Sequence, residues 1–433
     1  EPRPAFTGPA IHALGVSAQG DRGLDAARGV PAPRAPTTNN PMRIAFLYNA
    51  QDHHLLHSLP IGCELARLCP GHEVTVLARD AAQLGFARRL AAFYPGHRRL
   101  AFEVLRPSRL PGRWARRKRA VLLANRARLA SFDALVLPER NSLFLRRLRV
   151  TRPKFIHTFH GPSGHDRVDD PRLKDFDLLL APSARRLRRI LEAGTARPDR
   201  AAVVGYSKFD LVRRMGLERP PPFNNGRPTV LYNPHHRPGT SSWHAMGRAV
   251  LDHFAARGDL NLVFAPHVKL FHPPGEHGDA FRGYAGLGHV RIDLGSEASV
   301  DMTHALGADL YLGDISSQVL EFLIRPRPCL FLNPHRLPWR DDPDFASWRL
   351  GPVVETVEEM ARRLATAAEW QPGFEREQRR AFAEAFAEPD APPPAPERAA
   401  RIIAGFLADG RVDPSLALEA EDGPALDRAG GML

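Results

Sequence analysis

Short apolar runs that end in polar or turn residues recur along most of this chain, and stretches of helical spacing lie between several of them. The first is "RIAFLYN", Arg43 to Asn49, followed by a loop with His53, His54 and His57, a helix through Leu65 and Leu68, the Pro70-Gly71 turn, and "HEVTVLAR". A strand, a helix and a second strand in that order form the building block of a parallel sheet. The theme continues through "FDALVLPE", "KFIHTFHG", "FDLLLAPS" and "AAVVGYSKFD", which ends at Asp210. A second series then runs from "TVLYNPHHR" (Thr229 to Arg237) through "LNLVFAPH", "VRIDLG" and "ADLYLGD" to "RPCLFLNPH", ending at His335.

Between the two series lies "ERPPPFNNGRP", a Pro/Gly/Asn-rich linker. The expected fold is α/β, with two Rossmann-like domains facing across a cleft rather than one large sheet. The expected boundaries are an N-terminal domain over 42–219, a linker over 220–227, and a C-terminal domain over 228–409. Residues 1–41 end in "VPAPRAPTTNNP", lack sustained periodicity and read as a disordered extension; they have no charged-then-apolar order, so they are not a signal peptide. Arg398, Ile402 and Phe406 mark a last amphipathic helix near Pro396 to Ala408, expected to return toward the first domain, and 410–433 reads as a flexible tail.

Composition narrows the classes. The 433 residues are 43% hydrophobic and 25% charged, which is globular, and no apolar run is long enough to read as a transmembrane helix. Cys63, Cys69 and Cys329 form no metal-ligand spacing and cannot all pair, which suits a reducing cytoplasm. The net charge of +12 comes almost entirely from arginine and concentrates in "RWARRKRA", "FLRRLRVTRPK" and "RRLRRI", interleaved with apolar residues. That pattern fits an anionic membrane surface; no nucleic-acid-binding signature accompanies it.

In open α/β sheets, ligands bind at the carboxyl ends of strands. Here those ends carry His160-Gly161, Gly205 with Lys208, Asn233 to Arg237 including His235, His267 with Lys269, and Asp314 with Ser316-Ser317. One strand-end histidine is usually structural, but such groups at several strand ends, drawn from both series, point to a shared anion-binding cleft. The stretch "GDISSQVLEF" places its serines where a helix begins, and there capping and phosphate contact are compatible. His54 and His57 are acceptor-side candidates in the first loop; His53, His54 and His57 lack an evident fourth ligand for a zinc site. Asp169-Asp170 and Asp341-Asp342 precede proline or sit beside one, where turn capping is the expected role.

"TFHGPSGHD", "VVGYSKFD", "VLYNPHHR", "FAPH" and "GDISSQVLEF" follow the order of motifs in the CDP-glycerol glycerophosphotransferases, the teichoic-acid polymerases and primases of GT-B architecture. The chain resembles that family over roughly residues 155–410. The resemblance implies a histidine–glycine motif at His160 and Gly161, and a serine motif at Asp314, Ser316, Ser317 with the acid Glu321. It further implies a tyrosine–proline–arginine segment at Tyr232, Pro234 and Arg237, and a second histidine at His267 or His272. The sequence departs from the family in Lys208, where an arginine is usual, and in Pro162, which moves the following hydroxyl to Ser163.

The chemistry expected is attack by an acceptor hydroxyl on phosphorus, or on a sugar carbon, expelling a nucleotide phosphate. His160 would act as general base, with His267, Lys208, Arg237 and a helix start stabilising the leaving phosphate. No metal and no cofactor are expected. The expected partners are a CDP-glycerol or nucleotide-sugar donor and a polysaccharide or lipid-linked acceptor. A UDP-sugar transferase or 2-epimerase is the alternative enzyme, and a non-catalytic anion- or membrane-binding module the third reading. The expected location is the cytoplasm, peripherally on the inner face of the cell membrane.

Overall fold

The structure is a computed structural model that describes residues 40–108, 117–159, 161, 169–216, 222–271, 277–316 and 318–413. Two separate parallel sheets account for the two series of apolar runs. The first contains β1 (Arg43–Tyr48), β2 (Glu73–Ala78), β3 (Leu100–Val104), β4 (Ala134–Leu137), β5 (Lys154–Thr158), β6 (Leu178–Ala181) and β7 (Ala201–Val203), in the order β3-β2-β1-β4-β5-β6-β7. The second contains β8 (Thr229–Asn233), β9 (Asn261–Phe264), β10 (Val290–Ile292), β11 (Leu310–Gly313), β12 (Cys329–Leu332) and β13 (Val353–Val354), in the order β10-β9-β8-β11-β12-β13. The α/β class and the GT-B-like pair of sheets agree with the sequence expectation.

Helices cover both faces of each sheet, so the central strands are apolar on both sides. Along β1, Ile44, Phe46 and Tyr48 enter one core while Ala45 and Leu47 enter the other, the alternation a strand requires. The helix Ala395–Asp409, far from β1 in sequence, packs Ala399, Ala400, Ile402, Ile403 and Phe406 into that first core, against the helix His53–Leu68. Arg398 in the same helix is also buried, and its guanidinium donates to the carbonyls of Val204, Ala391 and Pro393. Gly205 permits this close approach. Its φ is +85°, and an added Cβ would lie 3.1 Å from Ala395 Cβ and 3.2 Å from Arg398 Nη1.

Strands β3 and β13 were not expected from the sequence. Strand β3 lies at a sheet edge and is mostly half-exposed, so it lacks the continuous apolar run that marks the buried strands. Strand β13 is only two residues long. His53, His54 and His57, expected in a loop, instead form the start of the helix His53–Leu68. The expected turn capping is present: Asp170 accepts from Arg172 N, and Asp342 accepts from Asp344 N.

Strand order reverses between β1 and β4 in the first sheet, and between β8 and β11 in the second. Such switch points leave a crevice at the carboxyl ends of the strands. The segments that follow these four strands carry Gln51 and His53, Arg140, His235 and Arg237, and Ser316, respectively.

Candidate functional site

Residues from all four of those segments line one cavity of about 500 Å³. The first half contributes Gln51, His53, His57, Arg140, Gly161 and Lys208. The second contributes Asn233, His235, Arg237, His267, Lys269, Ser316, Gln318 and Glu321. A larger hollow of about 740 Å³ is lined by Leu337 to Pro343, a single surface stretch that collects no strand ends. The chemistry-bearing groups converge on the smaller one.

One wall is built from three imidazoles. His236 lies 4.3 Å from both His235 and His267, centroid to centroid, and His235 and His267 are 5.2 Å apart. One ring nitrogen from each of the three lies within 4.8 Å of the other two, a spacing that a metal ion could exploit. The surroundings favour an anion instead. The Nδ1 of His267 accepts from Lys269 N at 3.1 Å, and that of His235 accepts from Arg237 N at 3.4 Å. An imidazole accepting at Nδ1 carries its proton on Nε2, which is then a donor and not a metal-ligating lone pair. Arg237 and Lys269 add positive charge beside the trio. Burial first, then His236, Lys269 and Arg237, push the pKa of His267 down to about 3. At neutral pH it is therefore an uncharged hydrogen-bond donor.

Lys208 follows β7 of the first sheet, and Glu321 follows β11 of the second. Lys208 Nζ donates to both Glu321 oxygens, at 2.8 and 2.6 Å, and Tyr206 OH donates to Glu321 Oε1 at 2.6 Å. Both charged side chains are nearly inaccessible, at 4% and 8% exposure, so this is a buried ion pair joining the two halves. Glu321 offsets part of the positive potential expected from Lys208, and Arg237 and Lys269 are the cations of the second wall.

Two expected phosphate-side residues stand behind the site. Asp314 is fully buried and accepts from Ser242 N, Ser242 Oγ and His235 N at 2.6, 2.8 and 2.7 Å, so it supports the histidine loop. Burial pushes its pKa up to about 6 against the pull of those bonds. Tyr232 is a core side chain whose hydroxyl meets Ser242 Oγ at 3.0 Å. On the acceptor side, His57 and Gly161 line the cleft, whereas His54 is buried at 2% exposure and is not part of its wall. Ser316 lines the cleft and accepts from Gln318 N at 3.3 Å, the cap geometry expected at that helix start. His160, Ser163, Ser317 and the alternative histidine His272 lie outside the described residues.

Sequence reasoning missed Arg140, Gln318 and Tyr206. Arg140 had a usable signal, because it directly follows an apolar strand that ends at the switch point. Tyr206 had none, because its role depends on Glu321, more than a hundred residues away.

The sequence matches no family model and no curated protein. Solved structures share the fold. A histidine-to-asparagine variant of the wall teichoic acid polymerase TagF soaked with CDPG superimposes with a TM-score of 0.55 at 14% identity, covering 85% of this chain and 88% of that one. UDP-GlcNAc 2-epimerase from Neisseria meningitidis, bound to UDP-GlcNAc, gives 0.57 at 12% identity over 84% and 99% of the two chains. The S. aureus MnaA–UDP structure gives 0.57 at 13% identity over 84% and 97%. At such identities the likeness establishes the GT-B fold alone.

Proposed function

We propose that the protein is a GT-B transferase that moves a glycerophosphate-type or glycosyl group from a CDP-linked donor to a hydroxyl of a cell-envelope polysaccharide or lipid-linked acceptor. The observation that carries this reading is the convergence of both switch points on one cleft, where Arg237, Lys269 and the imidazole wall oppose His57 and Arg140. Such a wall suits the leaving nucleotide phosphate. In this reading residues 42–219 form the acceptor domain, 220–227 the linker and 228–409 the donor domain with its crossing helix, flanked by 1–41 and a tail from 410.

His160 takes the acceptor hydroxyl proton as the new oxygen–phosphorus bond forms and the bond to the nucleotide phosphate breaks. His267 and Ser316, with Ser317, hold the departing phosphate. The likeness to a CDPG-soaked polymerase supports a CDP-linked donor, and that to structures bound to UDP-GlcNAc and to UDP supports the second reading, a UDP-sugar transferase or 2-epimerase. Calorimetric titration with CDP-glycerol, CMP, UDP-GlcNAc and UDP separates them: selective binding of the cytidine pair supports the first reading and selective binding of the uridine pair the second. Binding of none of them would retire both enzyme readings and leave the non-catalytic anion- or membrane-binding module.

Among the described residues no helix is long and apolar enough to cross a membrane. We place the enzyme in the cytoplasm, held peripherally at the inner face of the membrane by its uncompensated arginines.

A further inference from the structure

From the sequence, Glu321 reads as a contact to the donor ribose or as the orienter of a neighbouring residue, and its surroundings favour the second. Both of its oxygens are occupied from within the protein, Oε1 by Tyr206 OH and Lys208 Nζ, and Oε2 by Lys208 Nζ. A buried carboxylate with three donor contacts has little capacity left for a ribose hydroxyl. Lys208, by contrast, can spend at most two of its three N–H groups on Glu321, and it lines the cleft.

Tyr206 completes the arrangement. Its ring lies 5.2 Å from His57 on the acceptor wall and packs at 4.9 and 4.7 Å against Phe209 and Phe386. Its hydroxyl meanwhile reaches across to Glu321. One tyrosine thus joins the imidazole of one wall to the carboxylate of the other. The two contacts from Lys208 to the carboxylate, at 2.8 and 2.6 Å, hold the ammonium in one place.

We infer that Glu321, anchored by Tyr206, is a positioning residue that acts on the bound phosphate only through Lys208 and does not contact the nucleoside. The inference deepens the proposed function by naming how the two walls are held in register. It rests on that reading only for the identity of the phosphate's carrier.

The test is a double-mutant cycle read by calorimetry with two probes, inorganic pyrophosphate and the nucleotide, CMP or UMP, that the wild type binds better. Lys208→Met should weaken pyrophosphate about 10- to 100-fold, the loss expected for a charge-assisted hydrogen bond. Glu321→Gln should change the affinities for pyrophosphate and nucleotide by the same factor. In the Lys208→Met background it should change neither. Tyr206→Phe keeps the ring packing and removes only the hydroxyl. It should act in the same direction as Glu321→Gln, more weakly, and should also fall silent without Lys208; this milder variant decides the matter if Glu321→Gln does not fold.

A selective loss of nucleotide affinity in Glu321→Gln would reveal a direct ribose contact and overturn the inference. So would additive effects in the cycle, or a wild type that does not bind pyrophosphate. Coupled pyrophosphate binding in a protein that binds no nucleotide would instead retire the transferase reading and leave the inference standing.

Discussion

Asp314 accepts hydrogen bonds from both the amide and the hydroxyl of Ser242, at 2.6 and 2.8 Å, so the end of β11 holds the loop that follows β8. The same carboxylate takes the amide of His235. Asp314→Ala would strand two backbone donors in a buried setting, each costing about 1–3 kcal/mol. We expect a loss of about 3 kcal/mol in denaturant unfolding, with weaker phosphate binding as a secondary effect of a loosened histidine loop. A folded Asp314→Ala protein of wild-type stability would return Asp314 to the role of direct ligand.

His267 gives a prediction in pH. Its folded pKa, about 3, lies below the 6.5 of an ordinary imidazole. The folded state therefore binds fewer protons than the unfolded state between those values, and stability falls as pH drops below about 6.5. His267→Gln should flatten that part of the curve. Melting temperatures of the two proteins measured from pH 7.5 to pH 4.5 test this, and parallel curves would show that His267 is not held neutral.

Gly205 is expected to tolerate no side chain. Gly205→Ala combines an unfavourable positive φ with contacts that press on Ala395 and Arg398. A cost of about 1–2 kcal/mol follows. The readout is a chemical melt, alongside proteolysis at the end of the last helix; unchanged protection would show that the helix does not depend on this approach.

Much of the fold is legible in the sequence because parallel strands buried on both faces leave continuous apolar runs, as "ALVL" and "LLLA" do in β4 and β6. The edge strands β3 and β13 leave no such mark. In the site, the strand-end groups Lys208, His235, Arg237, His267 and Ser316 could be named because a strand end is a local signal, and the structure brings them together. What could not be read was which of them face one another. Lys208 reads as a free cation until Glu321 is seen against it, and Asp314 reads as a ligand until Ser242 is seen in the way.

Pairing also sharpens the membrane proposal. Lys118, Arg146 and Arg152 are matched to Glu139, Asp177 and Asp133, so part of the first two basic clusters is spent within the protein. Arg119, Arg126, Arg147 and Arg149 carry no ion pair among the described residues, and Arg119 stacks over Phe144, which brings the two clusters side by side. Each basic residue at an anionic surface contributes about 1 kcal/mol. Changing these four to Gln should release the protein from phosphatidylserine vesicles, whereas neutralising Lys118, Arg146 and Arg152 should have a smaller effect. Equal effects, or binding indifferent to salt, would sink the proposal.

For the chemical step, His160→Ala should leave CMP or UMP binding nearly intact while slowing donor turnover by about 10²-fold or more. Turnover at the wild-type rate would move the base to His57, the acceptor-side histidine that reaches the cleft.

The helix Ala395–Asp409 supplies apolar side chains to the core that contains β1, so a sheet whose strands are all made before β8 is completed only after the second sheet has been made. Domains usually fold as units as they are synthesised, the amino-terminal one first. Here the first sheet must wait, its surface beside the helix His53–Leu68 uncovered, until residue 409 has been made. A ribosome that stalls after β13 would thus release a chain whose second sheet has all its strands and whose first still exposes an apolar face, a ready substrate for chaperones and proteases.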